Sequence, residues 1–234
     1  VTDGITGKKL IWIQKEKVKD FWIKGDTAAE YIGRVIEYIA VKEVSDIMDY
    51  NDVNKYVEKV IESNSFLVDN IIPDFITASD LKYLLTCLVR EKVSVKNIVY
   101  IFEKINDYAN ETTKEDFLDK VRLALSRHIV KDLAKDGELK VIEFSDEILD
   151  RVYSFFKEDE EEAIIRIDSC EVQDIASRLM KIAKAKKITS PVIAVPMDIR
   201  HMVFVILSEF VQDLTVLAHE ELVSDYNIKF IGKI

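Results

Sequence analysis

A helical hairpin between Thr77 and Ala109 constrains the fold of this chain more than any other stretch. Its apolar residues recur at i, i+3, i+4 and i+7, the spacing that gives a helix one buried face. They are Leu81, Leu84, Leu85, Leu88 and Val89 in the first helix and Val95, Ile98, Ile101, Phe102 and Ile105 in the second. Thr77 or Ser79 can cap the first helix and Ser94 the second, because a side-chain oxygen there accepts a free backbone N–H. Residues 90–93 leave room only for a tight reversal, so two antiparallel helices with a shared apolar seam are predicted.

Helical periodicity extends to both sides of this hairpin. Three further helices are predicted upstream, and their candidate starts are Asp26 or Thr27, Asn51 or Asp52, and Ser65. The first of them ends at about residue 41 and carries one apolar face, which consists of Ala28, Ile32, Val35, Ile36 and Ile39. The third ends at Pro73, because proline cannot continue a helix. Downstream of the hairpin, one more helix is predicted over 117–129. The short loops between these helices favour a compact antiparallel bundle.

The two ends of the chain favour β-structure. Near the beginning, Leu10–Ile13 and Phe21–Ile23 predict two short strands on either side of a charged connector. After a turn at Asp136–Gly137, apolar runs alternate with helical segments, which is typical of an α/β layer. The strands of this layer are predicted at Leu139–Phe144, Ile164–Ile167, Pro191–Val195, Leu214–Leu217 and Ile228–Lys233.

The predicted fold class is therefore α+β and multidomain. Residues 1–42 form a short mixed α/β remnant, residues 43–134 a central helical bundle, and residues 135–234 a C-terminal α/β domain. A length of 234 residues is sufficient for units of this size to have cores of their own.

The charge of the chain restricts its partners. The formal net charge is −10, which argues against a nucleic-acid or anionic-membrane binder, since both need a basic face. The helical hairpin is therefore not interpreted as a DNA-reading motif. No apolar run of eighteen residues is present in the sequence, so no membrane-spanning segment is predicted. Protein partners fit this balance better.

A search for catalytic, cofactor and metal motifs finds no candidate. The histidines, His128, His201 and His219, have no second ligand at a metal-binding spacing. The zincin, nucleophile-elbow, phosphate-loop and dinucleotide motifs are absent from the sequence. Glu220 and Glu221 are adjacent rather than converging, and they do not suggest an acid–base pair. We predict no catalytic residue, no cofactor and no metal. The alternative is a small α/β enzyme with its site near Pro196 and His219.

Several ordered motifs resemble the FlhA/SctV family of export-gate proteins in bacterial type III secretion. The family pattern E-x-V-[PS]-[IV]-[RK] corresponds to residues 91–96, the I-hydrophobic-E and D-Y-A patterns to 101–103 and 107–109, and V-R-x-A-L-x-R-x-I to 121–129. The head, residues 7–13, is similar to G-x-P-A-x-W-I, and the tail PVIAVPMDIRH is similar to P-V-L-L-V-x-P-x-L-R. The match runs nearly end to end in the family's order, and the segment ALSRHI favours the flagellar branch.

This resemblance implies a docking platform rather than an enzyme. Full-length members have an N-terminal membrane region and a cytoplasmic region of four subdomains, nine copies of which form a ring below the export channel. The ring binds complexes of export chaperones with their cargo, at the cytoplasmic face of the inner membrane, together with other export-apparatus proteins. Residues 1–42 would be the end of the second subdomain and a returning helix of the first, 43–134 the helical third, and 135–234 the α/β fourth. The chain is thus expected to be a soluble piece of a longer polypeptide. A purely structural ring-forming module is a further alternative.

The resemblance also carries a candidate site for chaperone–cargo complexes. In flagellar members this site uses an Asp, a Phe three residues later, and a Thr on the returning helix. These positions correspond here to Asp3, Thr6 and Tyr31, so only the Asp matches the family. The aromatic residue expected at position 6 is missing, and we expect Tyr31 to restore part of the apolar contact area. A turn-capping role for Asp3 is the alternative.

Overall fold

The computed structural model describes residues 2–3, 9–14, 16–18, 25–73, 75–108, 117–155 and 169–234. The chain divides into two compact units, Val1–Lys96 and Asn97–Ile234. This division falls inside the predicted hairpin, and the two subdomain boundaries at 42/43 and 134/135 stay predictions. The α+β class is confirmed, because helices dominate and a small parallel sheet occupies the second unit. In the described part of the chain, no helix has both the length and the apolarity to cross a membrane.

The first unit is helical in its described part. Its helices are α1 (Ala28–Lys42), α2 (Val44–Ile47), α3 (Tyr50–Asp69) and α4 (Ala78–Arg90). Three of them begin with a capping box in which an acidic residue completes the cap, so local hydrogen bonds set their starts. The caps are Thr27 for α1, Asp49 for α3 and Thr77 for α4. The break predicted near Ser65 is a kink at Asn64, where the backbone of α3 leaves helical geometry.

The end of α4 is a Schellman motif. Lys92 lies in the left-handed region, with φ of 60°, and its N–H donates to the carbonyl of Val89 at 2.9 Å. The N–H of Val93 donates to the carbonyl of Leu88 at 2.8 Å, and both apolar side chains are buried. These are the hydrogen bonds and the apolar contact that stop a helix in this motif. The family pattern E-x-V, residues 91–93, is therefore the stop signal of α4.

Two predictions in this part of the chain are wrong. Leu10–Ile13 is not a strand: these residues have no regular structure, and the side chain of Ile11 is 86% exposed. Trp12 and Ile13 are exposed as well, so the run has no buried face that would favour a strand. Ser94 does not cap the second hairpin helix, which begins at Ile98, and the side chain of Asn97 accepts the N–H of Tyr100 instead. The predicted strands Phe21–Ile23 and Ile164–Ile167 lie outside the described residues.

The second unit combines two helices with an α/β layer. Its elements are α5 (Ile98–Tyr108), α6 (Phe117–Leu133), β1 (Glu138–Glu143), α7 (Asp146–Ser154), α8 (Ser169–Ala185), β2 (Val192–Val195), α9 (Met197–Ser208), β3 (Thr215–Ala218), a 3-10 turn (His219–Glu221) and β4 (Asn227–Lys233). The strands run parallel in the order β3-β2-β1-β4. The predicted strands of this layer that the structure describes are thus confirmed to within one or two residues.

The core of the α/β layer lies between the sheet and its helices. It contains apolar residues of β1 and β2 together with residues of α7, α8 and α9. On the edge strand β4, Ile231 forms a bulge, because Val141 pairs with Phe230 and Ile142 pairs with Gly232. A Cβ at Gly232 would lie 3.0 Å from the side chain of Ile182 in α8, so the helix packs directly on the strand at this glycine.

Candidate functional site

The structure brings two of the three predicted site residues together. The hydroxyl of Tyr31 donates a hydrogen bond to Oδ1 of Asp3 at 3.1 Å, across 28 residues of sequence. Asp3 is only 6% exposed, whereas Tyr31 is half-buried. Asp3 is therefore placed to hold the tyrosine rather than to touch a partner over a wide area. Thr6 lies outside the described residues.

Helix α1 positions Tyr31 through its first turn. The N–H of Tyr31 donates to the carbonyl of Thr27 at 2.9 Å. The hydroxyl of Thr27 in turn accepts the N–H of Glu30, while the Glu30 carboxylate accepts the N–H of Thr27 at 2.7 Å. The Thr27 backbone N–H, and then its hydroxyl, hold the pKa of Glu30 below its ordinary value. The start of α1 is thus fixed locally, and Tyr31 with it.

Two residues that the sequence did not identify complete this cluster. The ring of Trp12 meets the ring of Tyr31 edge to face, with centroids 5.6 Å apart and an interplanar angle of 89°. The guanidinium of Arg34 lies 5.6 Å from the centre of the Tyr31 ring and pairs with Asp26 at 2.6 Å. We call Asp3, Trp12, Tyr31 and Arg34 the tyrosine cluster. In the sequence, Arg34 could have been identified from its i+3 spacing from Tyr31, because this spacing puts both residues on neighbouring positions of one helix face.

An uncovered apolar surface lies on the same helix. None of the residues of α1 is buried. Ile32, Ile36 and Ile39 share one face of α1 and are all exposed, with Ile36 at 61%. The exposed Trp12 and Ile11 add to the apolar area of this unit. Contiguous exposed apolar residues of this kind mark interaction surfaces in soluble proteins. We call Ile32, Ile36 and Ile39 the α1 face.

A second polar cluster, in the other unit, contains Glu221, which pairs with Arg122 rather than with its neighbour Glu220. Glu221 is buried, and its Oε1 lies 3.0 Å from Nε of Arg122 on α6, with both side chains 1% exposed. Its Oε2 accepts the N–H of Ala218 at 2.8 Å and lies 3.3 Å from Nη2 of Arg122. This is a buried ion pair that ties α6 to the end of β3. Glu220 is exposed.

One helical turn away, α6 makes a further ion pair of opposite sense. Asp119 accepts from Nε of Arg200 at 2.9 Å, and Nη2 of Arg200 lies 2.8 Å from the same oxygen. Arg200 is 1% exposed and belongs to the first turn of α9. Arg122 and Arg200, which both lie in the motifs that resemble the family, are therefore buried structural residues.

The alternative of an enzyme site near Pro196 and His219 has no support in this geometry. His219 is exposed at the start of the 3-10 turn. Among the described residues, no group of three or more His, Cys, Asp or Glu is arranged to hold a metal ion. His128 is also exposed, and its ring lies against that of Tyr100 with centroids 5.1 Å apart. A groove of about 400 Å³ belongs to the first unit and is lined by Val44, Ile47, Met48, Asp52, Lys55, Tyr56 and Lys59.

Comparison with protein families gives one match over nearly the whole chain. The model of the FHIPEP family matches residues 1–227. The flagellar biosynthesis protein FlhA of Bacillus subtilis is 26% identical over 237 residues, covering 94% of this chain and 34% of that protein. FlhA of Caulobacter vibrioides is 26% identical over 150 residues, covering 62% of this chain and 21% of that protein. The chain thus spans about a third or less of the length of these relatives.

Comparison with solved structures shows the same fold. The MxiA protein of Shigella flexneri superimposes with a TM-score of 0.78 at 21% identity, covering 95% of this chain and 70% of that chain. The nonameric SctV-C of EPEC gives 0.76 at 19% identity, covering 94% and 68%. The complex of CdsV and CdsO from Chlamydia pneumoniae gives 0.72 at 21% identity, covering 94% and 66%. At these identities the likeness concerns the fold alone.

Proposed function

Because this chain belongs to the FHIPEP family, we propose that it is a docking platform of a bacterial type III protein export gate, in the flagellar branch. In this proposal it binds complexes of export chaperones with their cargo, works at the cytoplasmic face of the inner membrane, and assembles as a ring below the export channel. The observation that carries the docking role is the tyrosine cluster beside the uncovered α1 face. The role is non-enzymatic.

Because Asp3 is buried, its proposed role differs from that of the aromatic residues of the site. A carboxylate that is 6% exposed and hydrogen-bonded to Tyr31 contributes little contact area of its own. It acts as a positioning residue, because its hydrogen bond fixes the direction of the tyrosine ring. The exposed Trp12 and the half-buried ring of Tyr31 then provide the aromatic contact area. Aromatic side chains held in this way are typical anchors of protein interfaces. Asp3, Thr6 and Tyr31 stay the proposed docking residues.

The α1 face supplies the apolar part of the contact. Ile32, Ile36 and Ile39 recur every three or four residues along α1, so a helix of a partner could lie against them. Burial of an exposed isoleucine removes apolar area from water and stabilises a complex by about 25 cal/mol per Å² before association costs. The acidic balance of the chain, −10, fits a protein partner better than nucleic acid.

Two relatives support the wider role. The SctV-C structure from EPEC, which is similar to this chain, is nonameric, and this favours ring assembly of the longer protein. The similar CdsV structure is a complex with CdsO, which favours further protein partners. A purely structural ring module would assemble without binding cargo complexes. A binding measurement therefore distinguishes the docking platform from the ring module.

A titration of a purified export chaperone–cargo complex against the chain, followed by calorimetry, tests the docking role. Ile36→Ala and Trp12→Ala should each weaken binding at least fivefold, since contact residues that matter cost more than about 1 kcal/mol. Asp3→Ala and Tyr31→Phe should weaken it by a smaller factor, because they loosen the tyrosine without removing contact area. Ile61→Ala is the matched control: this isoleucine is exposed on α3 and outside the site.

Two results would count against the proposal. Binding that Ile36→Ala, Trp12→Ala and Ile61→Ala leave equally strong would remove the assigned site. No binding of chaperone–cargo complexes, either to the chain or to the longer protein that contains it, would remove the docking role and leave the ring module.

A further inference from the structure

The two ion pairs of α6 have opposite polarity. In the first, the helix supplies the cation, Arg122, to the anion Glu221 of the α/β layer. In the second, the helix supplies the anion, Asp119, to the cation Arg200 of the layer. Asp119 and Arg122 are three residues apart, so they lie one turn apart on the same side of α6.

The layer partners are set by the parallel sheet. Arg200 follows β2 in the first turn of α9, and Glu221 follows β3 in the 3-10 turn. Since β2 and β3 are neighbouring parallel strands, their carboxyl ends meet at one edge of the sheet. Helix α6 therefore presents Asp119 and Arg122 to two charges of the layer that are fixed at adjacent strand ends.

Apolar packing alone distinguishes weakly between neighbouring registers of α6. Its buried apolar residues recur every three or four positions, and they include Leu118, Val121, Leu125 and Ile129. If the helix moved by one turn along its axis, apolar residues would still occupy its buried side, because each would take a position near that of its neighbour. We therefore look to the polar and charged residues of α6 for what distinguishes one register from the next.

We propose that the opposed ion pairs Arg122–Glu221 and Asp119–Arg200 lock α6 in a single register on the α/β layer. A shift by one turn in one direction brings Asp119 opposite Glu221, and a shift in the other direction brings Arg122 opposite Arg200. Either shift buries like charges, which is strongly unfavourable where solvent does not screen them. The native register alone pairs every charge with its opposite.

Reversal of one pair tests this lock, because it keeps opposite charges in the native register and replaces the like-charge contact of a shifted register by an opposite-charge contact. Arg122→Glu with Glu221→Arg gives a helix with two anions facing a layer with two cations. Asp119→Arg with Arg200→Asp gives the converse arrangement, and it leaves the hydrogen bond from the Ala218 N–H to Glu221 intact. The variant with all four substitutions restores opposed pairs and is the matched control.

The register of α6 is measured in the full chain as the distance between two nitroxide labels, by double electron–electron resonance. Nitroxide labels on Lys131→Cys in α6 and Gln212→Cys in the layer occupy exposed positions, with the exposed Cys170 replaced by serine. The parent and the four-substitution variant should give one distance. Each one-pair reversal should add a second population, displaced by up to about 4.5 Å, the rise of three helical residues.

Three results of these measurements would contradict the lock. A single, parental distance in both one-pair reversals would overturn it, since the register would then be unchanged without the like-charge contact. Two populations in the four-substitution variant would overturn it as well. Loss of folded structure, followed by circular dichroism, in both one-pair reversals would also count against it, because these variants retain two opposite-charge contacts in the native register.

Discussion

Helices α1 and α6 have the same kind of apolar periodicity and opposite surroundings. Of the 17 residues of α6, eight are buried, including a charged one, whereas none of the 15 residues of α1 is buried. Periodicity thus predicts which side of a helix is apolar, and it does not tell what covers that side. What separates the two in sequence is Arg122, a charge within the apolar stripe of α6 that needs a specific partner inside the fold. Helix α1 has no such charge in its stripe, and its apolar face is exposed.

The largest expected effect concerns the buried charge of α6. Arg122→Ala should reduce the free energy of unfolding by about 3–5 kcal/mol, since it leaves Glu221 buried without its cation. Chemical denaturation monitored by circular dichroism measures this change. Arg127→Ala is the control on the same helix, because the ion pair of Arg127 with Asp225 is solvent-exposed and worth about 0–1 kcal/mol. Equal losses in the two variants would contradict the special role of the buried Arg122 in α6.

A pair of matched isoleucines tests the comparison directly. Ile129 on α6 is 6% exposed, and its replacement by alanine should cost about 2–5 kcal/mol through lost burial and the cavity left behind. Ile36 on α1 is 61% exposed, and the same replacement there should change stability by no more than about 0.5 kcal/mol. Unfolding curves of the two variants in one denaturant measure the difference. A large loss for Ile36→Ala would mean that the α1 face is covered within this chain.

Local chemistry explains why so much of the fold could be predicted from the sequence. Capping boxes and apolar periods act within a few residues, so the ends of α1 and α4 and the later strands follow from neighbouring residues. The resemblance drawn from the ordered motifs is confirmed by the family match. The error at Ser94 has a local cause too: the Schellman motif at Lys92 delays the next helix until Ile98.

What could not be predicted depends on residues that are distant in sequence. The burial of Glu221 follows from Arg122, 99 residues earlier, and no spacing rule connects them. The contact between Asp3 and Tyr31 spans 28 residues, and only the family resemblance suggested that the two belong together. Trp12 was assigned to a strand, so its place against Tyr31 was missed. Long-range packing decided each of these positions.

The smallest expected effect concerns how α1 is held without a buried face. Its cap depends on the ionised Glu30, whose pKa is lowered from 4.5, first by the Thr27 backbone N–H. A lowered folded-state pKa means that the contribution of Glu30 to stability is present above pH 4.5 and is lost as the pH falls through the folded value. Glu30→Gln should therefore increase amide exchange in the first turn of α1 near neutral pH and match the parent in acid. Glu37→Gln, an exposed change on the same helix outside the cap, should leave that exchange unaltered. If both variants behaved alike, α1 would depend on its overall charge rather than on its cap.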